Sequence, residues 1–259
     1  MGSSPYLSPF VIALIVVATI MAAAFSGTYV RTRLPKHHLD DETRQMVQIG
    51  IGFLSMLAAL VLGLILASAK SGFDTKSDEV QSAAAKILLL DNNLRQLGNA
   101  ADPVRNTLRQ IVSSRAIELW GDDSATTGMP TDSNPASRIV ALQSDVRALS
   151  PSGEAQRLAW SRAIQLADDL AQIRSLAFAQ TGSSITMPLL VLLVFWLAII
   201  VLGWNIYAPR HGTILTLNAL CAMSSAGAIF LILEMDRPFG GIIRISDAPL
   251  RAVLVQINQ

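Results

Sequence analysis

Apolar residues in this 259-residue chain are gathered into four blocks rather than spread along it. The first runs from about Pro9 to Tyr29, the second from Met46 to Ala69, the third from Met187 to Tyr207 and the fourth from Thr213 to Glu234. Each is close to the roughly 20 residues that an α-helix needs to cross about 30 Å of hydrocarbon. None carries a charge in its middle. Lipid offers the backbone no hydrogen bonds, so unbroken helices are the way such blocks cross it. The pattern predicts four membrane spans. Burying four such blocks in a soluble protein would need a larger polar shell than this chain owns. The first block imitates a secretory signal, but it lacks a basic leading segment and its apolar run exceeds the usual core of about 7–15 residues. It reads as an uncleaved anchor.

Between the second and third blocks the period changes to that of amphipathic helices. Phe73, Val80, Ala84, Ile87 and Leu94 fall at helical spacing with no strong breaker after the second span, so one long helix is expected to leave the membrane. Asp102-Pro103 reads as a cap followed by a proline at the first helical position, and Val104, Leu108, Ile111 and Leu119 recur on one face. Gly121–Asn134 is rich in Gly, Asp, Ser and Thr and has no period, which predicts a loop. Asn134-Pro135 starts another helix along Ile139, Leu142, Val146 and Leu149, and Ser150-Pro151 ends it. Ala159, Ala163, Leu166, Leu170, Ile173 and Ala177 then alternate spacings of 4 and 3, the seam of a bundle or of a coiled-coil-like face. The expected fold is all-α, with four transmembrane helices and a helical soluble domain inserted between the second and third. The expected divisions are 1–69 (first helix pair), 70–186 (soluble bundle), 187–234 (second pair) and 235–259 (a surface tail).

Composition sharpens this division. Apolar residues make up 51% of the chain and charged ones 15%, against about 25% in an ordinary soluble domain. Mean hydropathy is +0.45. Of the 39 charged residues, 25 lie between Lys70 and Thr186, so the insert alone has a soluble domain's charge density. The net charge of +1 draws the chain to no polyanion and excludes nucleic acid as a partner. The single cysteine, Cys221, permits no intrachain disulfide. Four spans put the N-terminus, the insert and the tail on one side, but basic residues flank the spans on both sides and leave the orientation open.

The spans carry two features beyond hydropathy. Ser55, Ala59, Gly63 and Ala67 repeat every four residues along the second, a stripe suited to close helix packing or to lining a conduit, with Phe53 as this span's one aromatic residue. Asn205, near the end of the third, and Asn218 and Ser225, in the fourth, are intramembrane polar groups that tie helices together or replace part of an ion's hydration shell. At the exits of the second and fourth spans, Lys70, Asp74, Glu234, Asp236 and Arg237 form either salt-bridged helix ends or a polar collar at a pore mouth. Catalytic chemistry has little to stand on: there is no phosphate-binding glycine loop, no CxxC and no serine-nucleophile motif. His37, His38 and His211 share the two-loop side with Asp40, Asp41 and Glu42, but the run lacks a zinc-ligand spacing and its acidic part suits the first turn of a helix. No enzyme activity, cofactor or bound metal is expected.

Three strings carry a family resemblance: residues 34–39 (LPKHHL), 59–74 (ALVLGLILASAKSGFD) and 233–246 (LEMDRPFGGIIRIS). With them the chain resembles, over nearly its whole length, the bestrophin-like integral membrane proteins of bacteria and plants. In the last string Pro238 stops the helix and the glycines turn the chain back under the membrane, with Ser246 and Pro249 in that segment. The resemblance implies the layout of bestrophins: pentameric anion channels with four spans and a cytosolic helical domain. It implies a multi-pass cell-membrane protein, bacterial inner membrane included, with the N-terminus, residues 70–186 and the C-terminus cytoplasmic. It also implies a homo-oligomer, a pentamer being allowed. Bestrophin pores have aromatic constrictions on the second span, and no pore residue is carried over here. The expected partners are the bilayer, further copies of the chain and small inorganic ions. The function expected is an oligomeric ion channel; a membrane-anchored scaffold or sensor whose helical insert binds a protein is the alternative.

Overall fold

The computed structural model describes residues 8–35, 40–120, 135–179, 187–209 and 211–258. Among these the regular structure is helical: α1 (Pro9–Arg33), α2 (Asp41–Gln96), a 3-10 turn (Gly98–Ala101), α3 (Asp102–Trp120), α4 (Pro135–Ala148), α5 (Glu154–Ala179), α6 (Met187–Tyr207), α7 (Gly212–Met235) and α8 (Ala248–Ile257). The chain divides into two compact units, Met1–Phe73 with Ser183–Arg237, and Asp74–Gly182 with Pro238–Gln259. Helix α2, 56 residues long, runs through both.

The first unit holds the four spans: α1, the first part of α2, α6 and α7 are each long and apolar enough to cross a membrane. The chain is a multi-pass membrane protein. Helix α1 opens with Pro9 at its first position and with the Ser8 hydroxyl accepting from the Val11 amide at 3.3 Å. It closes on Arg31 and Arg33, which suit the negative helix end and mark the membrane boundary. Arg33 donates to the Tyr29 hydroxyl at 2.9 Å, with its guanidinium 5.4 Å from the ring centroid.

The core of this unit joins Val16 and Ile20 of α1, Ala58, Ile65 and Ala69 of α2, Leu190 and Leu193 of α6, and Ala222, Ala226, Ile229, Ile232 and Leu233 of α7. Apolar side chains gain nothing by leaving lipid for one another, so packing here depends on close backbone approach through small residues. Two glycines of α1 and α6 supply it. A Cβ on Gly27 would run into the Leu202 carbonyl oxygen of α6 and lie 2.9 Å from the Asn205 Cβ. A Cβ on Gly203 would lie 2.6 Å from the Ile51 Cδ1 of α2. Helix α6 is therefore held close to α1, and at Gly203 it takes the Ile51 side chain of α2.

In the second unit the buried apolar positions include Val80, Ala84, Ile87, Leu90 and Leu94 of α2, Val104, Leu108 and Val112 of α3, Leu142 and Val146 of α4, Ala159, Ala163 and Ala167 of α5, and Leu250, Val253 and Ile257 of α8. Trp160 Nε1 donates to the Val146 carbonyl at 2.8 Å and fixes the α4–α5 hairpin. Asp168 accepts from Gln143 Nε2 at 2.7 Å and Arg147 Nη2 at 2.8 Å. Lys86 of α2 pairs with Asp169 of α5 at 2.8 Å.

Three local readings change. Asp102 is itself helical, because the 3-10 turn at Gly98–Ala101 runs directly into α3 and leaves no separate cap. On α5 the most buried line is Ala159, Ala163 and Ala167; Leu166, Leu170 and Ile173 are only half-buried, since the alanines take the closest approach and the longer side chains flank them. The tail contains α8, a ten-residue helix whose pattern is too short to stand out in sequence. The predicted loop at 121–134 lies outside the described residues.

Candidate functional site

Helix α2 turns two different faces outward and inward within the first unit. At about 100° per residue, the buried Ile51, Ala58, Ile65 and Ala69 fall within about 40° of one another. Ile49, Phe53, Met56, Leu60 and Ala67 fall within about 40° of the opposite direction, and all are exposed. Phe53 and Leu60 are 65% and 70% exposed, so nothing among the described residues covers that side. The small-residue stripe borders it. Ala59, Gly63 and Ala67 are exposed and Ser55 is half-buried, with its hydroxyl donating to the Ile51 carbonyl at 2.8 Å. A Cβ added at Gly63 would meet nothing within 4 Å. The stripe is thus on surface that the described residues leave open.

The exits of α2 and α7 lie at one end of this unit, since Ala69 and Leu233 share its core and Lys70 and Glu234 follow them directly. The Lys70 ammonium lies 5.8 Å from the centre of the Phe73 ring. Glu234 is buried, Asp236 half-buried and Arg237 exposed, and the Arg237 amide donates to the Glu234 carbonyl at 3.0 Å as the helix ends. Asp74 belongs to the second unit.

Toward the other end, Asn205 and Asn218 form a reciprocal amide pair. Asn218 Nδ2 donates to Asn205 Oδ1 at 2.8 Å, and Asn205 Nδ2 donates to Asn218 Oδ1 at 3.3 Å and to the Val201 carbonyl at 2.7 Å. The pair ties α6 to α7 and borders a recess of about 270 Å³, also lined by Phe25, Thr28, Pro209 and His211. Arg31 closes the same end by donating to the Ala208 carbonyl. Ser225 is half-buried further along α7. Asn218→Leu is expected to strand the buried Asn205 amide and to lower stability by about 1–2 kcal/mol in thermal unfolding in detergent. Adding Asn205→Leu should restore part of the loss; an unchanged melting temperature in the single variant would contradict the pair's tying role. Among the described residues no three His, Cys, Asp or Glu side chains are grouped to hold a metal. His37 and His38 lie outside the described residues.

The bestrophin-like domain matches this chain over residues 18–250. The chain belongs to the bestrophin-like family. Solved structures of a bacterial bestrophin homologue from Klebsiella pneumoniae share its fold. One variant has a TM-score of 0.64 at 15% identity, covering 97% of this chain and 96% of that one. Another has 0.63 at 16%, covering 95% and 94%. A structure described only as a membrane protein gives 0.62 at 16%, covering 96% and 95%. No curated protein matches.

This bestrophin-like chain also contains a polar centre that spacing does not single out. Asp91 of α2 is 1% exposed and accepts from Arg95 Nε at 2.8 Å and Arg105 Nε at 2.7 Å. Arg95 Nη2 also donates to the Gln256 carbonyl at 3.0 Å, and Arg109 Nε donates to that of Ile257 at 2.9 Å, so α2 and α3 cap the end of α8. The one signal available in sequence is an aspartate placed among Ile87, Leu90 and Leu94 on an apolar face. At the far end of α3, burial and then the nearby Arg115 hold the Arg174 guanidinium below its ordinary value, with Glu118 acting in the opposite sense. An arginine keeps its charge at neutral pH even so.

Proposed function

We propose that this chain forms a homo-oligomeric ion channel, non-enzymatic, in which α2 from each copy lines a central path. The uncovered face of α2 carries this reading: a span exposed along Ile49, Phe53, Met56 and Leu60, bordered by Ser55, Ala59, Gly63 and Ala67, is suited to face an axis shared with other copies. The fold shared with bacterial bestrophin homologues supports the same arrangement. In such a ring the mid-membrane wall is apolar, with Phe53 as its one aromatic, and closes by excluding water rather than by plugging. Lys70, Asp74, Glu234, Asp236 and Arg237 supply a charged mouth on the side of the helical insert, which the reading places in the cytoplasm with both termini. Anions are the first ions to test, and a pentamer is the first ring size.

Imaging the full chain in nanodiscs tests the arrangement. A closed ring with the Ile49–Leu60 face of α2 turned to the axis is expected; a monomer, or a dimer with no axial path, would overturn it. Gly63→Leu is a cheaper probe. A Cβ there meets nothing within 4 Å among the described residues, so the four-span fold should persist. Assembly or flux is expected to be lost, read by size-exclusion in detergent and by liposome flux. Unchanged assembly and unchanged flux would place the stripe against lipid instead.

A further inference from the structure

The segment that follows the fourth span is built as a finger with fixed flanks and an apolar tip. Pro238 is buried, and the Ile245 amide donates to its carbonyl at 2.8 Å, closing the segment into a loop. Trp120 Nε1 donates to the Ile245 carbonyl at 2.8 Å, and the Trp120 and Phe239 rings meet edge-on at 5.6 Å between centroids. Both flanks are thereby fastened to α3. The tip is different in character. Gly240, Gly241, Ile242 and Arg244 are exposed, and Gly241 holds a φ of +114° that sets the turn. Ile242 is 80% exposed, more than any other large apolar side chain among the described residues.

A single exposed isoleucine needs no explanation by itself. Its place in the chain supplies one. Ile242 lies seven residues beyond Met235, where α7 ends, and loop closure returns the chain toward Pro238. The Asp236 and Arg237 amides still donate to the Ile232 and Glu234 carbonyls, so the chain leaves the end of α7 only at Pro238. The four residues from there to Ile242 reach at most about 14 Å, and the headgroup layer beside the hydrocarbon is itself about 6 Å deep. The tip has no acidic residue; Asp247, just beyond the loop, is taken by Arg251 at 2.5 Å. An apolar residue beside an arginine at this depth fits a lipid interface, where the apolar side chain enters the acyl boundary and the cation meets phosphate.

We propose that the Phe239–Ile245 loop is a membrane-surface anchor: Ile242 seats in the acyl boundary of the leaflet that α7 exits, and Arg244 binds the phosphate of anionic phospholipids. The test uses the full chain with Cys221→Ala and a nitroxide on Ile242→Cys, in nanodiscs of phosphatidylcholine with phosphatidylglycerol. A nitroxide on Ser152→Cys, in the exposed turn between α4 and α5, is the aqueous reference. Collisions with a water-soluble nickel chelate are expected to be about threefold rarer at 242 than at 152, with oxygen collisions more frequent, as for a label below the headgroups. Nickel access equal to the reference would overturn the proposal. So would a label shielded from both reagents and broadened by labels on neighbouring copies, which would assign the tip to a protein contact. Adding Arg244→Gln should raise nickel access at 242 in the anionic nanodiscs and leave it unchanged in pure phosphatidylcholine. An identical profile with Arg and Gln would remove the headgroup contact.

Discussion

Gly27→Val is expected to abolish assembly of the four-span unit, and Gly27→Ala to weaken it by about 1–3 kcal/mol, the range of overpacking in a filled interior. The atom in the way is the Leu202 carbonyl oxygen, part of the α6 backbone, so relief requires moving a whole helix. Moving α6 away from α1 would also disturb Asn205, whose Cβ faces the same glycine and whose amide holds Asn218. Gly203→Ala is the contrasting case. Its Cβ meets the Ile51 side chain alone, at Cδ1 (2.6 Å) and Cγ1 (3.2 Å), a flexible side chain that can turn aside, and the helical alanine is intrinsically favoured by up to about 1 kcal/mol. Thermal unfolding of the two alanine variants in one detergent should separate them clearly. Equal melting temperatures would show that α1 and α6 do not cross as closely as Gly27 implies.

The second large effect is expected at Asp91. Replacing it with alanine leaves Arg105, 14% exposed, without its buried carboxylate. Breaking a buried ion pair from one side costs about 3–5 kcal/mol, because the remaining charge stays desolvated. Asp91→Asn keeps one acceptor oxygen and should cost less. The loss should spread to α8, since Arg95 bonds both Asp91 and the Gln256 carbonyl. Hydrogen exchange is expected to rise across 87–112 and 250–257. Arg147→Ala, which removes a partner of Asp168 on the surface, is expected to change stability by under about 1 kcal/mol. If both variants left exchange alike, Asp91 would not hold this centre together.

The membrane architecture was open to sequence reading because lipid imposes one strong rule: a long apolar run must be a helix. The third block and α6 share both bounds, Met187 and Tyr207, and the long helix leaving the membrane after Ala69 follows from the absence of any breaker there. What stayed hidden depends on partners distant in the chain. Gly27 and Gly203 differ from Gly63 only by what stands opposite them, which hydropathy does not encode. The pairing of Asn205 with Asn218 needed the turn between α6 and α7. Asp91 stands out in sequence only by its place on an apolar face, and its partner Arg105, fourteen residues on, folds back over it only in the structure. The candidate site was legible in its residue types, as a stripe and a collar. Its face was not: periodicity alone does not say that Ile51, Ala58 and Ile65 point into the unit and Phe53 and Leu60 away from it.

The proposed channel is tested most directly by ion flux through liposomes containing the purified full chain and no other protein. Flux above that of empty liposomes is expected under K⁺ or Cl⁻ gradients, and it should fall with Gly63→Leu. Liposomes that stay as tight as empty ones with both ions, across a range of voltages and with verified protein incorporation, would contradict it.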